Sequence, residues 1–267
     1  MSIFATGTTG TIGRHLGSRA ISLQLDLASE NNEFEERNFQ PGDSYLHLAG
    51  IVGPANVEKD AKLSFRVNVE SVIQLGEEFL KSEGGKFVFV STSHVYSPSD
   101  SPISETHLTN PRNLYSQQKL AAELALLDKF SAHPERLCVV RVFSVLDWDV
   151  ASFTLGGGVR KLMDEKSDYV LTNCDDVRDF LTPRKIAETL ARICDTPALS
   201  GLVNLCSGQG MAVGQAAREM LGPNVTSQAL ARMQNGQSDF PMIVGDNTKL
   251  REGLPDLDLR WSPSTSD

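Results

Sequence analysis

The segment that most limits how this chain can fold is a short apolar run with glycines directly behind it. Ile3-Phe4-Ala5 leads without a break into Thr6-Gly7-Thr8-Thr9-Gly10-Thr11-Ile12-Gly13. That order predicts a strand, a tight turn and the opening of a helix. Gly7 would permit the turn, Gly10 a close approach of backbone to phosphate, and Gly13 close helix–strand packing. Free N–H groups and the positive end of the helix would then meet a dinucleotide pyrophosphate. The competing reading is a plain strand–turn–helix connection with glycines at its caps.

Downstream, short apolar runs alternate with longer amphipathic stretches, the pattern of βα units and a parallel sheet. Strands are predicted at Ile3–Ala5, Leu23–Leu27, Tyr45–Ala49, Lys86–Ser91, Leu137–Val142, near Tyr169–Leu171 and at Gly201–Leu205. Helices are predicted over Lys62–Ser82, Leu114–Ala132, Val159–Glu165 and Pro183–Asp195, the last with proline in its first turn. Ser97 to Arg112, rich in Pro, Ser, Asp and Asn, reads as a loop able to wall a site. The expected fold is α/β: a Rossmann-type, doubly wound parallel sheet with a small C-terminal substrate-binding lobe. Residues 1–145 would form the dinucleotide-binding domain and 146–267 mostly the lobe, with some segments returning to the main sheet. Ser262–Asp267 reads as a frayed end.

Composition removes several alternatives. With 267 residues, 40% hydrophobic and 22% charged, the chain has the balance of an ordinary globular protein. A net charge of −9 argues against a general nucleic-acid-binding role, since phosphate backbones attract basic surfaces. Cys138, Cys174, Cys194 and Cys206 are widely spaced, without CxxC or a His cluster at metal spacing. They read as buried small hydrophobes in a reducing compartment, so no metal is expected. No apolar run approaches the ~18–20 residues that span a bilayer, and the N-terminus lacks the pattern of a secretory signal. A cytoplasmic enzyme without membrane partners is expected.

Tyr115 and Lys119 lie four residues apart in a predicted helix, so both can reach one substrate position. A tyrosine near pKa 10 is a poor base at neutral pH, and a nearby ammonium would lower it towards a useful range. Lys119 could also hold ribose hydroxyls. The bland alternative is one interfacial tyrosine and one solvated lysine. What weighs against it is the buried run from Lys86, which ends in the hydroxyl cluster Ser91-Thr92-Ser93, at the strand end where α/β sheets bind ligands. Thr92 there could donate to the oxygen that Tyr115 protonates. Asp26 is the best candidate to bind the ribose hydroxyls of NAD, with Glu30 a weaker one. No arginine directly follows that segment, which leans towards NAD without excluding NADP.

Taken in order, the motifs resemble an extended short-chain dehydrogenase/reductase of the NAD-dependent epimerase/dehydratase family, which acts mostly on nucleotide sugars. Thr6–Gly13 matches TGxxGxxG, His47-Leu48-Ala49-Gly50 is close to HLAA, and Asn68-Val69-Glu70 follows in the next helix. Ser91–Tyr96 resembles the family's serine/threonine strand ending in Val-Tyr, and Tyr115–Lys119 matches YxxxK. Arg178-Asp179-Phe180 resembles RDF/RDY, and Val203–Gly208 resembles Tyr-Asn-Val-Gly-Ser-Gly. The resemblance implies Tyr115 as acid/base, Lys119 as its electrostatic and ribose partner, and Thr92 as a substrate hydroxyl ligand. It implies cofactor contacts from Gly7, Thr9, Gly10, Thr11, Ile12, Gly13, Leu48, Ala49, Gly50 and Asn68, and substrate contacts from Ser93 and His94. Arg178 would bind the nucleotide-sugar diphosphate, a bidentate task suited to a guanidinium. A structural salt bridge to a neighbouring carboxylate is the alternative for it. A homodimer through Lys62–Ser82 and Leu114–Ala132 is also implied.

The departures from the family shape the expected reaction. The Gly13–Tyr45 and Val142–Arg178 stretches are short, and Phe143-Ser144-Val145-Leu146-Asp147 replaces the usual Asn-Val-Tyr-Gly stretch. Ser93-His94 stands where 4,6-dehydratases of the family carry Asp-Glu, which disfavours dehydration. His94 and Cys138 could be proposed as an added acid/base pair, but read better as a surface histidine and a core cysteine. The expected activity is NAD(P)-dependent hydride transfer on a nucleotide-activated sugar, as an oxidoreductase or a 4-epimerase. A non-catalytic dinucleotide sensor and a reductase of a non-nucleotide carbonyl compound are the alternatives.

Overall fold

A computed structural model describes residues 1–29, 39–223 and 225–263. Among them the main sheet has six strands, all parallel, in the order β2-β1-β3-β4-β5-β8. These are β1 (Ile3–Thr6), β2 (Ile21–Ser22), β3 (Ser44–His47), β4 (Lys86–Thr92), β5 (Leu137–Val142) and β8 (Gly201–Leu205). The strands β6 (Ser144–Val145), β7 (Val177–Leu181) and β10 (Met242–Ile243) form a second, small sheet, with β9 (Gly210–Ala212) antiparallel to β7. Phe143 alone separates β5 from β6, so the chain passes from one sheet to the other within a residue. This is the Rossmann-like α/β fold expected.

The helices sort by which face they cover. On one side, α1 (Pro54–Lys59), α2 (Ala61–Phe65), α3 (Ser71–Lys81) and α4 (Leu114–Lys129) precede β4 and β5 in sequence. Val72, Leu75 and Phe79 of α3 and Ala122 and Leu126 of α4 pack with Phe87, Phe89 and Val139. On the other side, Ile186, Leu190 and Ile193 of α6 (Pro183–Asp195) join Leu250 of α9 (Thr248–Gly253) against Val88, Val140 and Val203. A separate core gathers α5 (Leu155–Met163) and α7 (Val213–Leu221) around Leu146, Leu162, Phe180 and Met220, near α8 (Ser227–Ala231). The four cysteines are buried free thiols. No described helix is long and apolar enough to cross a membrane.

Several predicted elements are corrected by the structure. The glycine loop opens no α-helix; two 3₁₀ turns, Gly13–His15 and Gly17–Arg19, follow it. Gly17 has φ of 54°, which stops a right-handed helix from growing. Leu23–Leu27 is not a strand. Pairing with β1 occupies Ile21–Ser22 and ends after Leu23 N–H donates to Ala5 O at 2.8 Å. Beyond it β1 turns away, so the alternating residues that follow have no partner strand. Near Tyr169–Leu171 only an isolated bridge from Leu171 to Met233 forms. The predicted helix over Lys62–Ser82 is interrupted by a π-helical turn at Arg66–Glu70. Helix α5 starts at Leu155 instead of Val159, capped by the Thr154 hydroxyl. Strands β6, β7, β9 and β10 were not anticipated. Glu30 and residues 264–267 of the expected frayed end lie outside the described residues.

Candidate active site

The glycine loop is shaped by what lies beneath it. Gly7 has φ of 69°, and a Cβ there would sit 2.6 Å from Ala49 N and 2.8 Å from Leu48 C. A Cβ on Gly13 would lie 2.1 Å from Gly7 O. The loop therefore folds tightly on itself and onto Leu48-Ala49, the residues just past β3, bringing two groups of cofactor candidates together. Thr9 and Gly10 are exposed at its crest, and Thr11 and Ile12 are half-buried. Asp26 is exposed past β2, with one carboxylate oxygen accepting Ala28 N–H at 3.1 Å.

Asn68 has a different place from the one expected. It lies in the π-helical turn, and its side chain bonds both backbone groups of Ile51 at 2.9 Å and Gln118 Oε1 at 2.9 Å. Both polar atoms of its amide are thus spent on protein. Asn68 holds the Gly50-Ile51 backbone that borders the glycine loop.

His47 anchors this region from inside the sheet. Its Nδ1 bonds Thr6 Oγ1 at 3.0 Å, and its buried Nε2 has no partner among the described residues. Burial, and then the Lys119 charge, push its pKa down to about 3. Above about pH 6.5 the imidazole is neutral in both folded and unfolded chains. Below it only the unfolded chain binds the proton, so stability falls with pH until about pH 3. A His47→Gln variant should therefore lose about 3 kcal/mol less than the parent between neutral pH and about pH 4, as measured by urea unfolding.

Helix α4 carries the acid/base candidates. Asn113 caps it: its side chain accepts Ser116 N–H at 2.9 Å, while Ser116 Oγ accepts Asn113 N–H at 3.3 Å. That capping box fixes the first turn, where Tyr115 sits half-buried. One turn on, Lys119 is buried, its ammonium 4.2 Å from the centre of the Phe89 ring of β4. Neither the Tyr115 hydroxyl nor the Lys119 ammonium has a hydrogen-bond partner among the described residues. Thr92 ends β4, and its hydroxyl accepts His94 N–H at 3.2 Å, leaving its proton for another acceptor.

The electrostatics correct one expectation. Lys119 does not lower the Tyr115 pKa here; burial raises it to about 12. Burial brings Lys119 down to about 8, opposed by the Glu123 charge. The i,i+4 spacing places both residues on one face, but the ammonium turns onto Phe89.

Beyond the C-terminal end of β4, a cavity of about 100 Å³ is lined by Ser93, His94, Arg112, Asn113, Phe240 and Ile243 among others. Arg112 stacks over Phe240 at 5.3 Å. His94 is exposed at this mouth, and the surrounding protein and the Arg178 charge lower its pKa. Arg178 on β7 pairs with buried Asp176 at 2.8 Å, so the salt bridge considered for it is present. Cys138 is a fully buried core residue, with its thiol pKa pushed up to about 12 by burial.

Reading the sequence missed Arg112 and Phe240, which only the fold brings together. It also missed Glu123 and Arg141, although signals existed. Glu123 repeats the four-residue spacing after Lys119, and Arg141 interrupts an apolar strand.

These residues fit a nicotinamide dinucleotide. Gly7 and Gly13 let the loop turn closely onto itself and onto Leu48-Ala49, leaving Thr9 and Gly10 exposed at its crest, and Lys119 is a buried cation with no protein acceptor among the described residues. The comparisons with known proteins agree. A UDP-glucose 4-epimerase from Azospirillum brasilense is 37% identical over 237 residues, covering 79% of this chain and 67% of that protein. A GDP-6-deoxy-D-talose 4-dehydrogenase from Aggregatibacter actinomycetemcomitans is 23% identical over 94% of this chain and 90% of its own. The fold superposes on the dTDP-glucose 4,6-dehydratase DesIV from Streptomyces venezuelae, solved with NAD. There the TM-score is 0.81 at 15% identity, over 98% of this chain and 93% of that one. RMD from Pseudomonas aeruginosa, solved with NADPH, gives 0.76 at 20% identity, over 99% and 94%. With glycine loop, YxxxK helix and sheet in this arrangement, and a family model matching residues 3–206, the chain belongs to the NAD dependent epimerase/dehydratase family.

Proposed function

We propose that the protein moves a hydride between a nicotinamide dinucleotide and the C4 position of a nucleotide-activated sugar, as a reductase or a 4-epimerase. One observation carries this reading. The Tyr115 hydroxyl, the Thr92 hydroxyl proton and the Lys119 ammonium are donors without protein acceptors among the described residues, all at the C-terminal end of β4 or on the helix beside it. Donors held this way are set for an external oxygen.

When bound, the dinucleotide supplies or accepts the hydride. Gly7, Gly10 and Gly13 with Leu48, Ala49 and Gly50 would hold it, Asp26 would take ribose hydroxyls, and Lys119 would donate to the nicotinamide-side ribose. Tyr115 gives a proton to the C4 oxygen in reduction, or removes it in oxidation, and Thr92 donates to the same oxygen. With its pKa near 12, Tyr115 is well suited to donate. Acting as a base, it depends on the positive charge of Lys119 nearby. Ser93 and His94 would line the sugar site, and Arg178 would reach the diphosphate by exchanging Asp176 for it. The family's homodimer would use α2–α4, where Phe65 and Leu124 stand exposed.

A panel of UDP-, GDP- and dTDP-sugars, each added with NAD or NADP, tests the substrate class by thermal shift. One nucleotide sugar should raise the melting temperature beyond the dinucleotide alone. A response to the dinucleotide only, with no sugar nucleotide adding to it, would favour the sensor reading.

A further inference from the structure

Below the Tyr115–Lys119 face lies a buried charged cluster that the proposed chemistry does not touch. Glu123, one turn beyond Lys119 on α4, is fully buried. Arg141 of β5 grips its carboxylate, with Nη2 2.5 Å and Nε 3.0 Å from Oε2, and Nε 3.2 Å from Oε1. The Ser91 hydroxyl of β4 donates to Oε1. The Arg141 guanidinium lies 4.6 Å from the centre of the Tyr96 ring, and the Tyr96 hydroxyl donates to Asn204 Oδ1 of β8 at 2.7 Å. Across the sheet Ser91 is paired with Arg141, and the next pair is Thr92 with Val142. One carboxylate thus ties the helix of Tyr115 and Lys119 to the strand that ends in Thr92.

Stability alone does not account for this arrangement. A buried ion pair recovers its desolvation cost poorly, and apolar residues of similar volume often serve as well or better. Its placement suits a different task. The groups acting on Lys119 are neutral His47 from β3, the Phe89 ring from β4 and Glu123 from α4, while Tyr115 one turn earlier on α4 is uncharged. Arg141 from β5 stands behind Glu123, while Ser91 and Thr92 carry no charge. Among the described residues in this set, Glu123 supplies the negative charge.

We propose that Glu123 is a positioning residue of the active site: fastened by Ser91 and Arg141, it sets the rotation of α4 against Thr92 and keeps Lys119 an ammonium. This inference rests on the role given to Lys119 above. Without the Glu123 charge, a buried lysine with no acceptor titrates lower still.

Isotope-labelled lysine observed by NMR in the protein without substrate tests this directly. In Glu123→Gln, the Lys119 titration should move down by about one pH unit or more, and Glu123→Asp should restore most of it. Because Glu123→Gln leaves Arg141 buried and unpaired, it can fail to fold. The double variant Glu123→Gln/Arg141→Met removes both charges at similar volume and should show a smaller shift in the same direction, because the more distant Arg141 repulsion goes with the Glu123 attraction. A folded variant, single or double, with an unchanged Lys119 titration overturns the proposal, since a merely structural brace would not move it. The readout needs no turnover, so an inactive parent protein would sink the functional reading and leave this result standing.

Discussion

Lys119→Met should make the protein more stable and, at the same time, inactive. Lys119 is buried with no hydrogen-bond acceptor among the described residues, and its pKa falls from 10.5 to about 8. At neutral pH the ammonium is charged in both folded and unfolded chains, so the depressed folded value measures the cost of burying it. A gap of this size corresponds to about 3 kcal/mol. Stability should rise between about pH 8 and pH 10.5, where the folded chain has already released the proton and the unfolded chain has not. Methionine keeps the length of the side chain and packs well on an aromatic ring such as Phe89. It forfeits the cation–π contact, worth about 1 kcal/mol. The net gain of about 2 kcal/mol should raise the melting temperature by about 5 °C without added dinucleotide. Turnover should be lost, because in the proposed mechanism Lys119 holds the ribose and supplies the charge Tyr115 needs when it acts as a base. Calorimetry and a steady-state assay on one preparation check both halves. A destabilised Lys119→Met protein would show that the ammonium is satisfied in a way this geometry does not show.

Tyr115→Phe should separate chemistry from binding. Its hydroxyl has no hydrogen-bond partner among the described residues, so removing it leaves no protein group stranded and the melting temperature should hold or rise slightly. Removing a positioned general acid/base costs typically ~10²–10⁴-fold in rate, and kcat should fall by about that much. Dinucleotide affinity should stay within about threefold, since the proposed binding groups are the glycine loop and Lys119. Activity within about tenfold of the parent would move the acid/base role elsewhere, with His94 the next group to examine.

The elements that could be read from the sequence are those whose burial fixes them on both sides. Strand β5, helix α6 and strand β8 end at the predicted residues. β5 is apolar apart from Arg141, α6 has Pro183 in its first turn, and β8 pairs with β5 through its whole length. Motif order likewise paired the glycine loop with Leu48-Ala49, which the structure brings into contact. What was not legible depended on partners distant in sequence. Strand β7 sits between β6 and β10, short strands that carry no pattern of their own. Leu23–Leu27 alternates like a strand but lies where β1 has already turned away.

The site shows the same division. Spacing of four residues put Tyr115 and Lys119 on one face but said nothing of where the ammonium points. Phe89, far away in sequence, decides that, while burial raises the Tyr115 pKa. Asn68 looked like a cofactor ligand by its motif, whereas Ile51 and Gln118 claim its amide. Arg178 is held by Asp176 only two residues away, a pairing the sequence reading had kept open.

In the proposed reaction Tyr115, Thr92 and Lys119 serve hydride transfer at C4 of a nucleotide sugar. The test mixes the sugar nucleotide selected by thermal shift, in its C4-hydroxyl form and deuterated at C4, with the oxidised dinucleotide. The reaction is quenched before hydride can return to the sugar, and the dinucleotide is read by mass spectrometry. The expected result is deuterium on the nicotinamide with the parent protein and little or none with Tyr115→Phe. Dinucleotide and sugar nucleotide both bound, with no label passing between them, would contradict it.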